Sequence, residues 1–245
     1  MIFELFSFGL IAGFMSGFFG IGGGTILVPI LVLAGFVMKE AVAISIMQMV
    51  FSSIYGSFLN VKKAKNVLKD GLIIGLGGFV GGLQSGFIVK NVTNEFLQYV
   101  FIAVLIFSII RIFYSPAERT NEDTKEQHRI VLFIIGFFIG AIAMSIGIGG
   151  SIILAPILVG FLRYDLKIAT SLGLFFVIFS SIAGFISQSI QGLMLYHEGT
   201  IIGIASLIGV YFGIKAKHLV KATSYKKYVL LLSIGVLIIM IYKTI

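Results

Sequence analysis

The chain alternates long apolar stretches with short glycine clusters and brief charged runs. Residues 5–38, 41–61 and 168–197 contain no Asp, Glu, Lys or Arg, and each stretch exceeds the roughly 20 residues that a membrane-spanning helix needs. Breaking the apolar stretches at glycines and charges predicts helices at about 2–19, 25–36, 41–60, 71–89 and 96–114 in the first half. The second half repeats the plan at about 130–146, 152–162, 167–188, 199–215 and 225–242. The expectation is an all-α, polytopic membrane protein. Residues 115–129 (SPAERTNEDTKEQHR) form the one strongly polar run; they read as a linker with little packed structure, dividing the chain into membrane repeats 1–114 and 130–245.

The halves share residues as well as a plan. Gly20-Ile21-Gly22-Gly23-Gly24-Thr25-Ile26-Leu27-Val28-Pro29 returns as Gly147-Ile148-Gly149-Gly150-Ser151-Ile152-Ile153-Leu154-Ala155-Pro156. At the same offset of 127 Gly13 falls on Gly140. After a step to 128, Phe51-Ser52-Ser53-Ile54 falls on Phe179-Ser180-Ser181-Ile182, and Gly56, Gly71, Gly75 and Gly81 fall on Gly184, Gly199, Gly203 and Gly209. Duplication is the simplest account. In each copy glycines break an apolar segment midway, which a bilayer tolerates only where the backbone is buried in protein or lines a cavity. Two such breaks at matching places are the best sequence pointer to a transporter's binding site.

Charge decides how the halves face. If each half crossed the membrane an even number of times, the eighteen Lys and Arg would divide nine to each side. If each glycine-broken segment is instead a hairpin that returns to its own side, three single spans remain per half. The basic residues between Lys62 and Lys69, between Arg111 and Arg129, at Arg163 and Lys167, and between Lys215 and Lys227 then share one side. Only Lys39, Lys90 and Lys243 lie opposite. Fifteen against three is the bias expected of cytoplasmic loops. The expected architecture is therefore two inverted repeats, each a glycine-broken hairpin plus three transmembrane helices, with both termini outside and the linker cytoplasmic. The net charge of +8 reflects this loop bias and calls for no nucleic acid partner.

Composition supports the membrane reading and narrows the chemistry. The chain is 58% hydrophobic and 11% charged, and its zero cysteines exclude disulfides, thiolate metal sites and cysteine nucleophiles. No cofactor or metal is expected. The N-terminus lacks a basic region and runs into the first repeat, so it does not read as a cleaved signal peptide. Acidic, basic and His residues all fall at or near segment ends, whereas cation pumps and proton relays usually carry an ionisable residue inside the membrane. An enzyme would need a nucleophile with a buried base, a carboxylate pair or metal ligands, and the spans contain no internal His, Asp, Glu or Cys. No catalytic residue is assigned.

What the breaks offer is backbone. A helix starting after Gly22-Gly23-Gly24 leaves its first N–H groups without helical partners, and its macrodipole makes that end about half a positive charge. Such an end binds anions. The candidate anion-binding residues are Gly22, Gly23, Gly24 and Thr25 with Gly149, Gly150 and Ser151. Thr25 and Ser151 can add hydroxyl donors. Gly20, Pro29, Gly147 and Pro156 frame the breaks as structural hinges, the prolines stiffening the first turns of the second arm. Gln48, Ser52, Ser53, Ser180 and Ser181 are mid-span polar residues placed to line a route, with Gln48 one turn before Ser52; serines in membrane helices equally often bond a local carbonyl or a neighbouring helix. Tyr55, Gln84, Ser85, Ser187 and Gln188 are weaker candidates. Glycines at four-residue spacing, such as Gly9, Gly13 and Gly17, read as helix-packing positions.

The twice-written GIGG[GS]-x-I-L-x-P-I-L, in a chain of this length with Lys-rich short loops, resembles the TauE/SafE family of sulfite exporters and related permeases. The resemblance spans essentially the whole chain. It implies a multi-pass plasma (inner) membrane protein moving sulfite, a sulfonate or another small organic anion, with protons as a candidate coupling ion. Ser151 departs from the family's third glycine. The expected function is a secondary carrier for a small anion held between the two hairpins; a passive anion channel and a non-transporting assembly partner in the bilayer are the alternatives.

Overall fold

A computed structural model describes residues 2–20, 22–60, 68–114, 128–160, 162, 164, 166–217, 219 and 222–244. Most of the expected linker, residues 115–127, lies outside the described residues, as do Lys62, Lys63, Lys65, Arg163 and Lys221 of the charge count. Eleven helices are described: α1 (Ile2–Phe19), α2 (Gly24–Leu33), α3 (Met38–Asn60), α4 (Leu68–Gly82), α5 (Ser85–Asn91), α6 (Asn94–Tyr114), α7 (Arg129–Ile146), α8 (Ser151–Gly160), α9 (Leu166–Ile190), α10 (Tyr196–Lys217) and α11 (Ala222–Thr244). No strand occurs among the described residues. Seven stretches among them are long and apolar enough to cross a membrane, α1 and α7 included.

Most boundaries fall within a few residues of expectation, and the departures have local causes. α2 ends three residues early because Gly35 takes φ +100° and closes a Schellman turn, Phe36 N–H donating to Leu31 O at 3.0 Å and Gly35 N–H to Val32 O at 3.2 Å. α3 starts three residues early because the Glu40 carboxylate accepts the Val37 N–H at 3.1 Å, which caps the helix from its third position. α6 starts at Asn94, with Thr93 Oγ1 accepting the Phe96 N–H at 3.2 Å.

The single helix expected over 71–89 is two helices, α4 and α5. Ser187 of α9 sits in the interruption. Its hydroxyl donates to Leu83 O at 2.6 Å and accepts the Gly86 N–H at 2.9 Å, so a side chain from another helix replaces two rungs of the ladder. The duplicate, α10, has no such insertion and runs unbroken.

Packing exchanges partners between the halves. α1 lies against α10 and α4 against α7, while α3 packs on α10, α4 on α9, and α3 meets α9 at the centre. Small residues make these seams. A Cβ on Gly9 would lie 2.5 Å from Ile202 O, one on Gly13 would strike Ser206, and one on Gly17 would strike Val210. Gly77 and Gly81 likewise press on Phe133 and Phe137, and Gly136 and Gly140 on Ile74 and Gly78. Lipid supplies no hydrophobic drive between helices, so this close backbone approach is what holds the seams.

The order of these contacts gives direction. Gly9, Gly13 and Gly17 meet Ile202, Ser206 and Val210 in sequence, so α1 and α10 run the same way. Met47 meets Gly199, Phe51 meets Gly203 and Gly56 meets Val210, so α3 also runs with α10. By the same test α7 and α9 both run with α4. Because α1 and α3 run together at the same level of α10, the chain between them doubles back, with α2 as the returning arm. α8 returns between α7 and α9 for the same reason.

Candidate functional site

Each hairpin turns on three glycines with positive φ: Gly20, Gly22 and Gly23 at 66°, 88° and 67°, and Gly147, Gly149 and Gly150 at 70°, 86° and 59°. L-residues with side chains rarely adopt this region. The same backbone is therefore written twice, and its glycine spacing is what encodes it.

The breaks meet in the middle of the protein. Thr25 Oγ1 donates to Ile148 O at 3.0 Å and Ser45 Oγ donates to Gly147 O at 2.8 Å. A Cβ on Gly22 would lie 3.5 Å from Gly149 Cα, and one on Gly24 would strike Gly147 O. Gly22, Gly23, Gly24, Thr25, Gly149, Gly150 and Ser151 are all buried. Each break is also tightened on itself: Gly24 N–H bonds Gly22 O and Ser151 N–H bonds Gly149 O, both at 2.6 Å. One N–H of each helix end is thus engaged locally rather than left open.

Pro29 and Pro156 are the sixth residues of α2 and α8. That is beyond the four N–H groups a helix start leaves unpaired, so each proline removes a bond that Thr25 O or Ile152 O would otherwise accept. The prolines thus stiffen their helices at the cost of one internal bond each.

Gln48 is brought directly to the first break. A Cβ on Gly23 would lie 2.7 Å from its Oε1 and 2.9 Å from its Nε2, so the amide head rests on the Gly23 backbone. The residue is 0% exposed, and neither amide atom has a hydrogen-bond partner among the described residues. Leaving a buried donor or acceptor unpaired costs about 1–3 kcal/mol for each group. Ser151 Oγ at the second break is also buried and unpartnered.

The four serines divide. Ser53 Oγ and Ser181 Oγ, duplicates of each other, face across the centre at 3.5 Å. All four also bond carbonyls of their own helices, Ser180 to Phe176 O at 2.9 Å, Ser52 to Met49 O at 3.4 Å, Ser53 to Val50 O at 3.5 Å and Ser181 to Ile178 O at 3.3 Å; Ser52 and Ser180 make only these. Sequence reasoning missed Ser45, although it lies one turn before Gln48 and on the same helix face. It also missed Phe176, the residue that the offset of 128 places at Gln48's position in the second half. Gly9, Gly13 and Gly17 are packing residues, as their spacing indicates.

Apart from Tyr164, buried polar side chains among the described residues are Ser, Thr and Gln. A tyrosine is pulled inward elsewhere: Tyr164, between α8 and α9, donates to Asp70 at 2.8 Å. Burial first, then the Asp70 carboxylate, pushes its phenol above the ordinary tyrosine value. A groove of 420 Å³ lined by Tyr55, Leu207, Ile208 and Tyr211 lies between α3 and α10, apart from the breaks.

A polytopic helical bundle with two doubled-back, glycine-broken segments that touch at its centre is the kind of architecture that transporters use. The family profile described as sulfite exporter TauE/SafE matches residues 5–240, and the chain belongs to that family. It is 24% identical over 230 residues to the probable membrane transporter protein YunE of Bacillus subtilis, covering 84% of this chain and 83% of that one. A probable membrane transporter protein of Methanocaldococcus jannaschii is 28% identical over 187 residues, covering 73% and 69%. YdhB of Bacillus subtilis, of the same description, is 22% identical over 225 residues, covering 89% and 91%. No solved structure matches the chain.

Proposed function

We propose that this protein is a secondary carrier for a small anion, bound between the two glycine breaks. The observation that carries the reading is the meeting of the breaks, with the unpartnered Gln48 amide resting on one of them. The ends of α2 and α8 supply positive dipole ends and backbone N–H groups. Thr25 and Ser45 supply hydroxyls that now bond carbonyls of the opposite break, and an incoming anion would compete for those hydrogens. With the breaks in contact the site is closed, and separating them opens it.

The two halves are inverted in this reading. Residues 191–195, five in number, join α9 to α10 and reach at most about 22 Å, while the 25 residues of α9 span about 37 Å. α10 must therefore run back along α9. Since α1 and α3 run with α10, and α4 and α7 with α9, the helices α1, α3 and α4 oppose their duplicates α7, α9 and α10 in this reading. This supports a cytoplasmic linker, outside termini and placement in the plasma membrane with the positive loops inward. Rocking of one half against the other alternates access.

The family description points to sulfite, and sulfonates are its organic relatives. Proton coupling would run through boundary groups such as His197 and Glu198 or through a proton carried on the substrate. The test is anion flux in proteoliposomes holding the purified chain. Saturable flux that responds to a pH gradient is expected; an ohmic single-channel current would replace the carrier with a channel, and absence of any anion flux would remove the function.

A further inference from the structure

The duplication makes the two halves of the site directly comparable, and they are chemically unequal. Around the first break stand Thr25, Ser45 and Gln48. The same offsets put Ile152, Gly173 and Phe176 around the second. Three polar positions in one half are apolar in the other. The geometry is retained while the chemistry changes: Gln48 rests on Gly23, and Phe176 rests on Gly150, where a Cβ would strike the ring. Phe176 is fully buried and also presses on Gly78 of α4. Val177 continues the apolar wall across to the first break, its Cγ1 lying 3.3 Å from a Cβ placed on Gly22. One exchange runs the other way. Ser151 replaces Gly24, and Gly173, which replaces Ser45, makes room for it, a Cβ there lying 2.9 Å from Ser151 Cβ.

A symmetric pair of dipole ends would suit a compact inorganic anion held equally by both. This pair is not symmetric. The first half contributes Thr25, Ser45 and the Gln48 amide against the single hydroxyl of Ser151 in the second, and the Gln48 amide, buried and unpartnered, rests on Gly23, the residue before α2. A buried polar group that lacks a protein partner is matched by a ligand that supplies one, whereas an aromatic ring opposite it offers only apolar contact.

Resting on the anion-carrier reading above, we propose that the site has a polar side at Gln48 and an apolar side at Phe176, where Ser151 supplies the one hydroxyl. Its ligand is an organic monoanion whose charged group binds at Gly23, Thr25 and Gln48 and whose small apolar substituent packs on Phe176. Gln48 then selects for the anionic group and Phe176 for the substituent. A fully hydrated inorganic anion would have to give up water against the ring without recompense.

The experiment is competition and direct flux with the full chain in proteoliposomes, using ethanesulfonate and benzenesulfonate against sulfite and sulfate. The organic sulfonates should half-saturate at a concentration at least about tenfold below the inorganic anions. Phe176→Gln should narrow that gap by raising the half-saturating concentration of the sulfonates alone. Gln48→Leu should weaken all four. Phe176→Leu, which keeps the site apolar, controls for folding: it should preserve the order of preference, and all three variants should elute as the wild type does. Inorganic anions preferred by the wild type, or a Phe176→Gln variant that weakens all anions by one common factor, would overturn the one-sided site and leave the anion carrier standing. Flux of none of the four would overturn both.

Discussion

The hydroxyl of Thr25 donates to the carbonyl of Ile148 at 3.0 Å, joining the two breaks across 123 positions of sequence. The bond ties the start of α2 to the turn before α8. Thr25→Val keeps the shape and removes the donor, leaving a buried carbonyl short of a partner. The expected loss is about 1–3 kcal/mol of stability in the closed form, read as a lowered midpoint of thermal unfolding in detergent. Thr25→Ser should recover most of it; equal midpoints for Val and Thr would show that the bond holds nothing.

Gly23 and Gly150 combine positive φ with close neighbours. Leucine at either position is strained in backbone and collides with Gln48 or Phe176. Anion flux should be lost in both variants while membrane insertion, checked by fractionation, is retained. Unchanged flux in either would remove the breaks from the transport site.

Ser187 fills the gap between α4 and α5. Ser187→Ala leaves Leu83 O and Gly86 N–H without their present partner, costing about 1–3 kcal/mol for each group left unpaired. Faster amide hydrogen exchange localised at Gly86 is the specific readout. Protection there unchanged from the wild type would mean that the interruption needs no plug.

Tyr164 carries a phenol raised above its ordinary value of 10.0. The unfolded chain ionises this group first, so the folded state binds more protons above that pH. Its stabilising contribution is full below about pH 10 and is lost as pH rises further. Thermal midpoints measured from pH 8 to 11 should fall more steeply for the wild type than for Tyr164→Phe. Parallel curves would contradict the assignment.

The chain has no cysteine, so single-cysteine variants report sidedness without background. Thr124→Cys should react with a membrane-impermeant maleimide only from the cytoplasmic side, and Leu193→Cys only from outside. Labelling of both from one side would refute the inverted arrangement.

Much of the membrane architecture was legible because the bilayer enforces it. Long charge-free stretches have few alternatives to helix, and consecutive glycines mark where a helix stops. The breaks at Gly20–Gly23 and Gly147–Gly150 were readable for that reason, as were the packing glycines on α1. The split of α4 from α5 was not readable, because its cause is a hydroxyl on α9, about a hundred residues away. Ser45 was invisible for the same reason: a mid-helix serine has a local carbonyl within reach in any helix, and only packing decided that it bonds Gly147 instead.

By itself, the sequence determined the helices, the duplication and the two positive-φ turns, since hydrophobic length and the missing Cβ of glycine are properties of the chain alone. Tertiary structure alone decided that α1 crosses to α10 and α4 to α7, that the turns touch, and that Gln48 and Phe176 occupy matching places with opposite chemistry. Those facts depend on which surfaces meet. In a bundle whose helix faces are nearly all apolar, close steric fit between small residues makes that choice, and hydropathy does not record it.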